Sequence, residues 1–230
     1  MYKHMIKFDS VSKEYPTSGI VLSDINLVVM PKEFVSIVGH SGAGKTTLLK
    51  MIMAEEHPTD GVVYFEDTNV HGLNKNEING LRRRIGMIFQ DFRLLPNKTA
   101  FENIAFAMEA AGRTDEEIAS DVPHVLDLVD LKEKMWNFPH ELSGGEKQRV
   151  AIARAIINQP DVIIADEPTG NLDPVNTHDV VQILQKINDL GTTVLLTTHN
   201  KNVVDSLRRR VITMESGKII RDETASGYNN

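Results

Sequence analysis

The sequence predicts an α/β fold in which a mostly parallel β-sheet is covered by helices. A compact apolar run at 34–38 ends at Gly39, as a buried strand does when it enters a loop. From residue 144 onward, helical and strand patterns alternate, which is typical of parallel strands joined by crossover helices. Residues 99–141 carry helical patterns without strong strand signals, so we expect a helical lobe inserted into the sheet domain.

The individual elements follow from the spacing of apolar residues. Alternating or continuous apolar residues predict strands at 5–11, 20–30, 34–38, 61–66, 85–89, 162–165 and 193–197, and a closing hairpin at 208–214 and 218–221. One-sided apolar patterns predict helices at 46–54, 100–111, 115–129, 150–158 and 175–190. We therefore expect a single domain over residues 1–223, with a helical subdomain at about 91–157 and a polar tail at 224–230.

Composition excludes several classes of function. The chain has 230 residues, a formal net charge of −7 at pH 7 and no cysteine. The negative charge argues against a nucleic-acid partner, because such binding depends on neutralising phosphates with basic side chains. The absence of cysteine excludes disulfides and thiolate metal sites and fits a reducing cytoplasm. No apolar run approaches the roughly 20 residues that span a bilayer, so we expect any membrane role to come through a partner.

A glycine-rich loop follows the strand at 34–38 and matches the pattern G-x-x-x-x-G-K-[ST] in full. The matched residues, with the threonine after them, are Gly39, His40, Ser41, Gly42, Ala43, Gly44, Lys45, Thr46 and Thr47. Such a loop turns its backbone N–H groups inward, and the helix behind it adds partial positive charge, so it holds phosphates. We expect Lys45 to reach the β- and γ-phosphates of ATP, and the Thr46 hydroxyl to ligate Mg²⁺. A tight turn without a ligand is the alternative.

Two acids follow the buried strand at 162–165. In proteins with this phosphate loop, an acid at the end of such a strand holds Mg²⁺, and Asp166 fits that role. Glu167 comes one residue later, where a carboxylate can orient or deprotonate the water that attacks the γ-phosphate. Two solvated acids in a turn are the simpler alternative, and the phosphate loop upstream argues against it.

Two further polar residues follow predicted strands. Gln90 comes after 85–89, where we expect its carboxamide to contact Mg²⁺ or the attacking water. His199 comes shortly after 193–197, where we expect its ring to hydrogen-bond the γ-phosphate. Without the other motifs, a polar strand end and a surface histidine would be the better interpretations.

A second helix start, Leu142-Ser143-Gly144-Gly145-Glu146, has the features of an anion site. Ser143 and Glu146 are spaced as a capping box. The glycines between them are costly, by about 1 kcal/mol each relative to alanine in a helix interior. That cost is explained if bare N–H groups at a helix N-terminus must approach an anion closely. One γ-phosphate can contact both helix starts only if they face each other.

Together these motifs resemble those of the ATP-binding cassette (ABC) ATPases. The residues that carry the resemblance, in the family's order, are Tyr15, 39–46, Gln90, 142–146, Asp166, Glu167, 171–173 and His199. The resemblance implies a RecA-like P-loop NTPase core, an N-terminal antiparallel β subdomain and the inserted helical subdomain. It also implies an ATP-dependent, head-to-tail homodimer with two-fold symmetry.

In such a dimer each ATP would lie between one subunit's phosphate loop and the other subunit's helix start. The resemblance assigns the contact across the interface to Ser143, Gly144, Gly145 and Glu146. It also implies that Tyr15 stacks on the adenine and that Asp173 crosses the interface beside the opposing site. Without the resemblance, a core or surface tyrosine would be a credible interpretation of Tyr15.

Within the family the chain is similar to the bacterial cell-division ATPases. The stretches that carry this similarity are 89–96, 99–107, 162–174, 210–212 and 217–223. The similarity implies an integral membrane partner, through which ATP-driven closure controls a peptidoglycan hydrolase or its adaptor. It therefore implies a peripheral position on the cytoplasmic face of the cell membrane, at the division site.

The same similarity implies that 91–97 helps to form a groove for a cytoplasmic helix of the membrane partner. Phe92, Leu94 and Leu95 are candidates for its apolar docking surface, and packing inside the helical lobe is an equal alternative. Much of 162–174 is shared with lipoprotein-release and macrolide-export relatives, so a transporter subunit is the alternative function. A DNA-repair cassette is disfavoured, because no heptad run separates Lys45 from Ser143.

Overall fold

The computed structural model of the protein describes residues 4–17 and 19–224, so residues 225–230 of the predicted polar tail lie outside the described residues. The strands are β1 (Ile6–Tyr15), β2 (Gly19–Val29), β3 (Phe34–Val38), β4 (Asp60–Phe65), β5 (Thr68–Asn69), β6 (Ile85–Phe89), β7 (Val162–Asp166), β8 (Thr193–Thr198), β9 (Arg210–Glu215) and β10 (Lys218–Glu223). The α-helices are α1 (Lys45–Ile52), α2 (Lys75–Arg83), α3 (Ala100–Ala110), α4 (Asp115–Leu128), α5 (Gly144–Ile156), α6 (Pro174–Asp189) and α7 (Lys201–Leu207).

The strands form two sheets, and the larger one has the order β10-β9-β3-β8-β7-β6 among the described residues. Its pairs are parallel except for the β9–β10 hairpin at one edge, which confirms the predicted, mostly parallel α/β fold. The smaller sheet, β2-β1-β4-β5, is antiparallel and comes mainly from the N-terminal part of the chain. The carboxyl ends of β3, β6, β7 and β8 lie along one edge, where parallel sheets place their ligand sites.

Burial follows the apolar patterns of the sequence. Every residue of β3 and of β8 is buried, as expected for central strands covered on both faces. Helices α3, α4 and α5 surround a separate hydrophobic core that includes Ile104, Val122, Leu126 and Val150. These helices therefore pack as a layer of their own beside the sheet. Within residues 4–17 and 19–224, none of the helices combines the length and the apolar character needed to cross a bilayer.

Two helices, α2 and α7, were not among the predicted elements. Helix α2 is mostly polar and buries only Leu81, so its apolar pattern is weak; a capping box between Asn74 and Glu77 starts it. Helix α7 is short, and it is held by the buried side chains of Val203, Val204 and Leu207. Helix α5 begins at Gly144, at the capping box predicted from Ser143 and Glu146, so it starts six residues before the apolar pattern at 150–158.

Arg84 links the two sheets, because it lies just before β6 and contacts a residue just after β4. Its guanidinium donates two hydrogen bonds of 2.9 Å to the buried Glu66 carboxylate and one of 2.6 Å to Asp161. We expect Arg84→Met to lower the free energy of unfolding by on the order of 2 kcal/mol, because the buried Glu66 carboxylate loses its partner while the partial exposure of Arg84 limits the loss. Urea unfolding measures the change, and Lys98→Met, which breaks an exposed pair with Glu102, is the control. Equal losses of unfolding free energy in the two variants would show that the Arg84–Glu66 pair stabilises the fold no more than an exposed ion pair does.

His71 should make stability sensitive to acid. Both ring nitrogens are buried without a hydrogen-bond partner among the described residues. Burial, followed by the nearby His57, lowers the pKa of His71 to about 4. In the unfolded chain His71 binds a proton below about pH 6.5, whereas in the folded chain it does so only below about pH 4. The free energy of unfolding therefore falls as the pH falls from about 6.5 to about 4. We expect His71→Phe to flatten the pH dependence of the urea midpoint between pH 7 and pH 4.5; an unchanged slope would contradict this.

Candidate functional site

A cleft of about 790 Å³ lies at the carboxyl ends of the parallel strands. It is lined by residues of the phosphate loop and of the strand ends, including His40, Ser41, Gly42, Ala43, Gly44, Lys45, Thr46, Thr47, Gln90, Asp166, Glu167, Asn171 and His199. Two glycines shape the loop. Gly39 and Gly44 have positive φ values of 156° and 99°, and a Cβ at Gly39 would collide with the Met214 carbonyl oxygen. The loop therefore leaves β3 and enters α1 along a path that only glycine permits at these points.

Lys45 is buried beneath the phosphate loop. Its Nζ donates to the Gly39 carbonyl oxygen at 2.7 Å and to the His40 carbonyl oxygen at 3.3 Å. The same Nζ lies 3.5 Å from Oε1 of Glu167. The positive charge is thus aimed into the cleft, between the loop backbone and the carboxylate that follows β7.

Asp166 is held between two threonine hydroxyls. Thr46 Oγ1 donates to Asp166 Oδ2 at 3.2 Å, and Thr197 Oγ1 donates to Asp166 Oδ1 at 2.6 Å. Thr197 was not predicted as a site residue, although it is fully buried and stands opposite Asp166 in the register of β7 and β8. A hydroxyl that follows the apolar run 194–196 and precedes His199 by two residues is the sequence signal that could have identified it.

Glu167 turns away from β7 in a strained conformation. Its φ is 50°, a left-handed value that costs a residue with a Cβ about 1–3 kcal/mol. Its amide donates to Thr197 Oγ1 at 3.0 Å, which holds the backbone in that turn. As a result Glu167 Oε2 lies 2.9 Å from His199 Nδ1, while Oε1 faces Lys45. The structure therefore brings Lys45, Asp166, Glu167 and His199 together at one end of the sheet.

Gln90 is joined to the segment that follows Glu167. Its Nε2 donates to Asn171 Oδ1 at 3.3 Å, and Asn171 Nδ2 donates to the Gln90 carbonyl oxygen at 3.2 Å. Gly170 permits this approach, because a Cβ there would lie 2.7 Å from Gln90 Nε2. Gln90 thus lines the cleft while its carboxamide is hydrogen-bonded to Asn171.

The helix start at Ser143 is outside the residues that line this cleft. Ser143 Oγ accepts from the Glu146 amide at 3.3 Å, and Glu146 Oε2 accepts from the Ser143 amide at 2.8 Å. The bond from the Ser143 amide is the main cause that lowers the pKa of Glu146. The capping box is therefore formed, and the phosphate loop and this helix start do not share a cleft within one chain.

The two glycines of this helix start have different surroundings. A Cβ at Gly145 would collide with the Asn176 side chain, whose own Cβ would be only 2.9 Å away. A Cβ at Gly144 would meet Leu172 Cδ2 at 3.6 Å, an ordinary contact. Packing against the start of α6 therefore explains Gly145 within one chain, a reason that the sequence interpretation missed. Packing does not explain Gly144.

Asp173 caps α6. Its Oδ1 accepts hydrogen bonds from the amides of Val175 and Asn176 at 2.9 and 3.0 Å. The bond from the Asn176 amide is the main cause that lowers the pKa of Asp173. Tyr15 ends β1, with Lys13 Nζ lying 4.6 Å from its ring centroid. Tyr15, Asp173 and the four-residue helix start 143–146 are not among the residues that line the cleft.

The segment after Gln90 contains the three candidate docking residues. Leu94 packs against the core of the helical layer, and Phe92 is half-buried. Leu95 lines a groove of about 720 Å³ between α3, α5 and β6. Phe92 and Arg93 both have left-handed backbones, with φ values of 59° and 47°.

Arg154 holds that left-handed segment from α5. Its guanidinium donates to the carbonyl oxygens of Arg93 at 2.6 Å and of Phe92 at 2.9 Å. Burial lowers the pKa of Arg154. Since α5 begins at Gly144, Arg154 connects the helix start to the segment after Gln90.

We expect Arg154→Gln to lower ATP turnover about tenfold while the affinity for ATP stays within about twofold, because a misplaced Gln90 segment affects geometry more than binding. Arg154→Lys, which keeps a charged donor, should recover part of the loss. Turnover assays and ATP titrations measure the two quantities. If ATP turnover and ATP affinity fall by the same factor, Arg154 acts only by stabilising the fold and does not position Gln90.

The comparisons with known proteins agree with this geometry. A family model described as ABC transporter matches residues 22–170. The cell division ATP-binding protein FtsE of Bacillus subtilis (strain 168) is 50% identical over 226 residues, which cover 98% of this chain and 99% of that protein. FtsE of Escherichia coli (strain K12) is 42% identical over 215 residues, with coverage of 94% and 97%.

Among solved structures, the dimeric ABC transporter cassette MJ0796 is similar, with a TM-score of 0.87 and 37% identity. The match covers 97% of this chain and all of the cassette. A dimeric post-hydrolysis state of the same cassette, bound to ADP and Pi, matches with the same TM-score. These relatives confirm the predicted ATP-binding cassette fold and ATPase activity. The chain belongs to the ABC transporter family of ATPases and, within it, to the FtsE group of cell-division ATP-binding proteins.

Proposed function

We propose that this ATPase is the energy-supplying subunit of a membrane complex that acts in cell division. In this proposal two copies work with an integral membrane protein resembling FtsX, on the cytoplasmic face of the membrane at the division site. The complex would control a peptidoglycan hydrolase, directly or through an adaptor. The names of the FtsE relatives, at 42–50% identity over nearly the whole chain, support the cell-division role.

One observation supports the two-copy arrangement most strongly. The cleft holds Lys45, Asp166, Glu167 and His199, whereas the anion-facing helix start at Ser143 is not among its lining residues. A phosphate in the cleft can meet that helix start only if a second copy supplies it. In the head-to-tail arrangement each site combines the cleft of one copy with the helix start of the other, and the dimeric state of the similar cassette supports it.

The residues at the cleft suit Mg²⁺–ATP. Thr46 Oγ1 and Asp166 Oδ2 lie 3.2 Å apart and offer hydroxyl and carboxylate oxygens, which are the ligands that Mg²⁺ prefers. Thr46 and Asp166 would hold the ion, with Gln90 as a further candidate. Bound there, Mg²⁺ would neutralise charge on the β- and γ-phosphates. The backbone N–H groups from Gly39 to Thr47 would hold the phosphates, and Tyr15 would stack on the adenine.

Hydrolysis is proposed to proceed through Glu167. Its left-handed turn, bonded to Thr197, fixes the carboxylate between Lys45 and His199. When ATP binds, its phosphates would replace Glu167 Oε1 as the ionic partner of Lys45. Glu167 Oε1 would then be free to orient and deprotonate the attacking water. His199 would keep Oε2 in place and contact the γ-phosphate. Ser143, Gly144, Gly145 and Glu146 of the second copy would close the site, with Asp173 beside them.

Closure is the step that would act on the membrane partner. ATP bridging two copies favours the closed dimer, and hydrolysis removes the bridge. Because Arg154 joins α5 to the segment after Gln90, movement of the helical layer would reach Phe92, Leu94 and Leu95. A transporter subunit is the second candidate function, favoured by the similarity to the cassette MJ0796.

Purification in mild detergent from the native host separates the two functions. We expect a four-helix membrane protein with a large extracellular loop to co-purify, and depletion of this ATPase to give filamentous cells. Recovery of a solute permease, together with normal division after depletion, would replace the cell-division role by transport.

A further inference from the structure

The hairpin that carries Tyr15 lies against the phosphate loop. Tyr15 pairs with Gly19 in the register of β1 and β2, and Val21, two residues further along β2, lines the cleft. A Cβ on Gly44 would lie 3.0 Å from the Val21 carbonyl oxygen, so the hairpin and the loop are in close contact. The position of the Tyr15 ring therefore matters for any base that binds together with phosphates in the cleft.

Lys13 lies over the ring of Tyr15. Its Nζ is 4.6 Å from the ring centroid. The face of an aromatic ring carries negative charge and attracts a cation at this distance. The Lys13 side chain is only 13% exposed, so water weakens this attraction little. With the cation over one face of the ring, a base would stack on the opposite face.

Two acceptors in the segment that follows α1 hold the Lys13 ammonium. Nζ lies 3.1 Å from Oε2 of Glu56 and donates to the His57 carbonyl oxygen at 2.8 Å. The hydrogen bond from Lys13 is the main cause that lowers the pKa of Glu56, and the Tyr15 hydroxyl contributes to the same shift. The Glu56 carboxylate therefore faces both Lys13 and Tyr15.

This contact connects Tyr15 to the phosphate loop through α1. Helix α1 begins in that loop and ends just before the segment that contains Glu56. The Glu55 amide donates to the Lys50 carbonyl oxygen of α1 at 2.9 Å, which holds the segment against the end of the helix. Because Glu56 is thereby held relative to α1, Lys13 sets where the Tyr15 ring stands relative to the phosphate loop.

The backbone at the end of β1 is held by other bonds. The Thr59 amide donates to the Ser12 carbonyl oxygen at 2.8 Å, and the Glu14 amide donates to Thr59 Oγ1 at 3.0 Å. Removal of the Lys13 cation should therefore leave β1 in place and release the Tyr15 ring.

We infer that Lys13 is a positioning residue for the adenine of ATP. It acts through the Tyr15 ring, which it orients and holds at a set place relative to the phosphate loop. This inference rests on the proposed function, because it takes Tyr15 as the residue that stacks on the adenine. A ring that is held before ATP arrives loses less freedom on binding, so loss of Lys13 should weaken affinity and spare the chemical step.

The test compares ATP with inorganic triphosphate, which has no base. We expect Lys13→Met to raise the KM for ATP about fivefold, near the lower limit of what one lost base stack costs, while kcat and the inhibition constant of triphosphate change less than about twofold. Lys13→Arg keeps a cation over the ring and should recover most of the affinity. Lys7→Met is the matched control and should keep the wild-type KM. Lys7 is also on β1, pairs with Asp9 at 2.7 Å and lies 5.6 Å from the Tyr64 ring centroid.

Tyr15→Leu separates this inference from the proposed function. It should weaken ATP binding at least as much as Lys13→Met, and the double variant should lose no more than Tyr15→Leu alone. If Tyr15→Leu leaves the KM for ATP unchanged, the adenine contact in the proposed function fails. If Tyr15→Leu weakens ATP binding while Lys13→Met behaves like Lys7→Met, the inference alone fails. Equal losses of affinity for ATP and triphosphate in Lys13→Met would also overturn it, because Lys13 would then support the whole cleft.

Discussion

Replacing Glu167 by glutamine should abolish nearly all ATP hydrolysis while leaving ATP binding intact. The carboxylate is held by its left-handed backbone between Lys45 and His199, and a carboxamide of the same shape cannot accept a proton from water. General-base catalysis contributes about 10²- to 10⁴-fold, so we expect kcat to fall by that factor. Steady-state phosphate release measures kcat, and titration with a fluorescent ATP analogue measures binding.

Glu77→Gln is the matched control for this substitution. Glu77 also bonds a backbone amide, through the capping box of α2, and a glutamine oxygen can accept the same bond. The control should hydrolyse ATP at the wild-type rate. A Glu167→Gln variant that turns over at more than about half the wild-type rate would remove Glu167 from the proposed mechanism.

Ser143→Arg should reduce ATP hydrolysis about as strongly as Glu167→Gln does, but by disturbing the part of the site that a second copy supplies. The substitution removes the hydroxyl from a helix start and puts a long cation where a second copy's phosphate must approach. Because the Ser143 segment lies outside its own chain's cleft, ATP binding to a single chain should change less than about twofold. The assembled site should lose its geometry, and even small misplacement of reacting groups costs about 10²-fold.

Loss of a helix cap is the competing explanation for such a result. Thr114→Arg tests it, because Thr114 forms the same kind of capping box at the start of α4. Both variants should lose about 1 kcal/mol of stability from the missing cap, and Thr114→Arg should keep its ATPase activity. Equal losses of activity in the two variants would show that capping alone explains the role of Ser143.

The parts of this molecule that local sequence determines were predictable. The phosphate loop was predicted because Gly39 and Gly44 take positive φ values within one strand-to-helix turn, and a short local pattern is enough to recognise such a turn. The strands β3, β7 and β8 were predicted because central parallel strands carry short, mostly apolar runs, such as 162–165 in β7 and 194–196 in β8. The polar helix α2 was missed because it buries a single leucine and its pattern is weak.

Features that depend on pairing between distant segments were not predictable. Thr197 bonds Asp166 only because β7 and β8 pair in one particular register. Gly145 is required by the Asn176 side chain of α6, a contact created when two helices meet. The contact between Lys13 and Glu56 likewise joins segments that lie far apart in the chain and meet on folding.

The central claim is that one chain holds an incomplete ATP site. The most direct test is the mass of Glu167→Gln in solution with saturating Mg²⁺–ATP, measured by sedimentation velocity beside the double variant Ser143→Arg, Glu167→Gln. We predict a dimer that carries two ATP molecules for the single variant, and a monomer that still binds one ATP for the double variant. A single variant that stays monomeric with ATP bound, or a double variant that dimerises as readily, would contradict the claim.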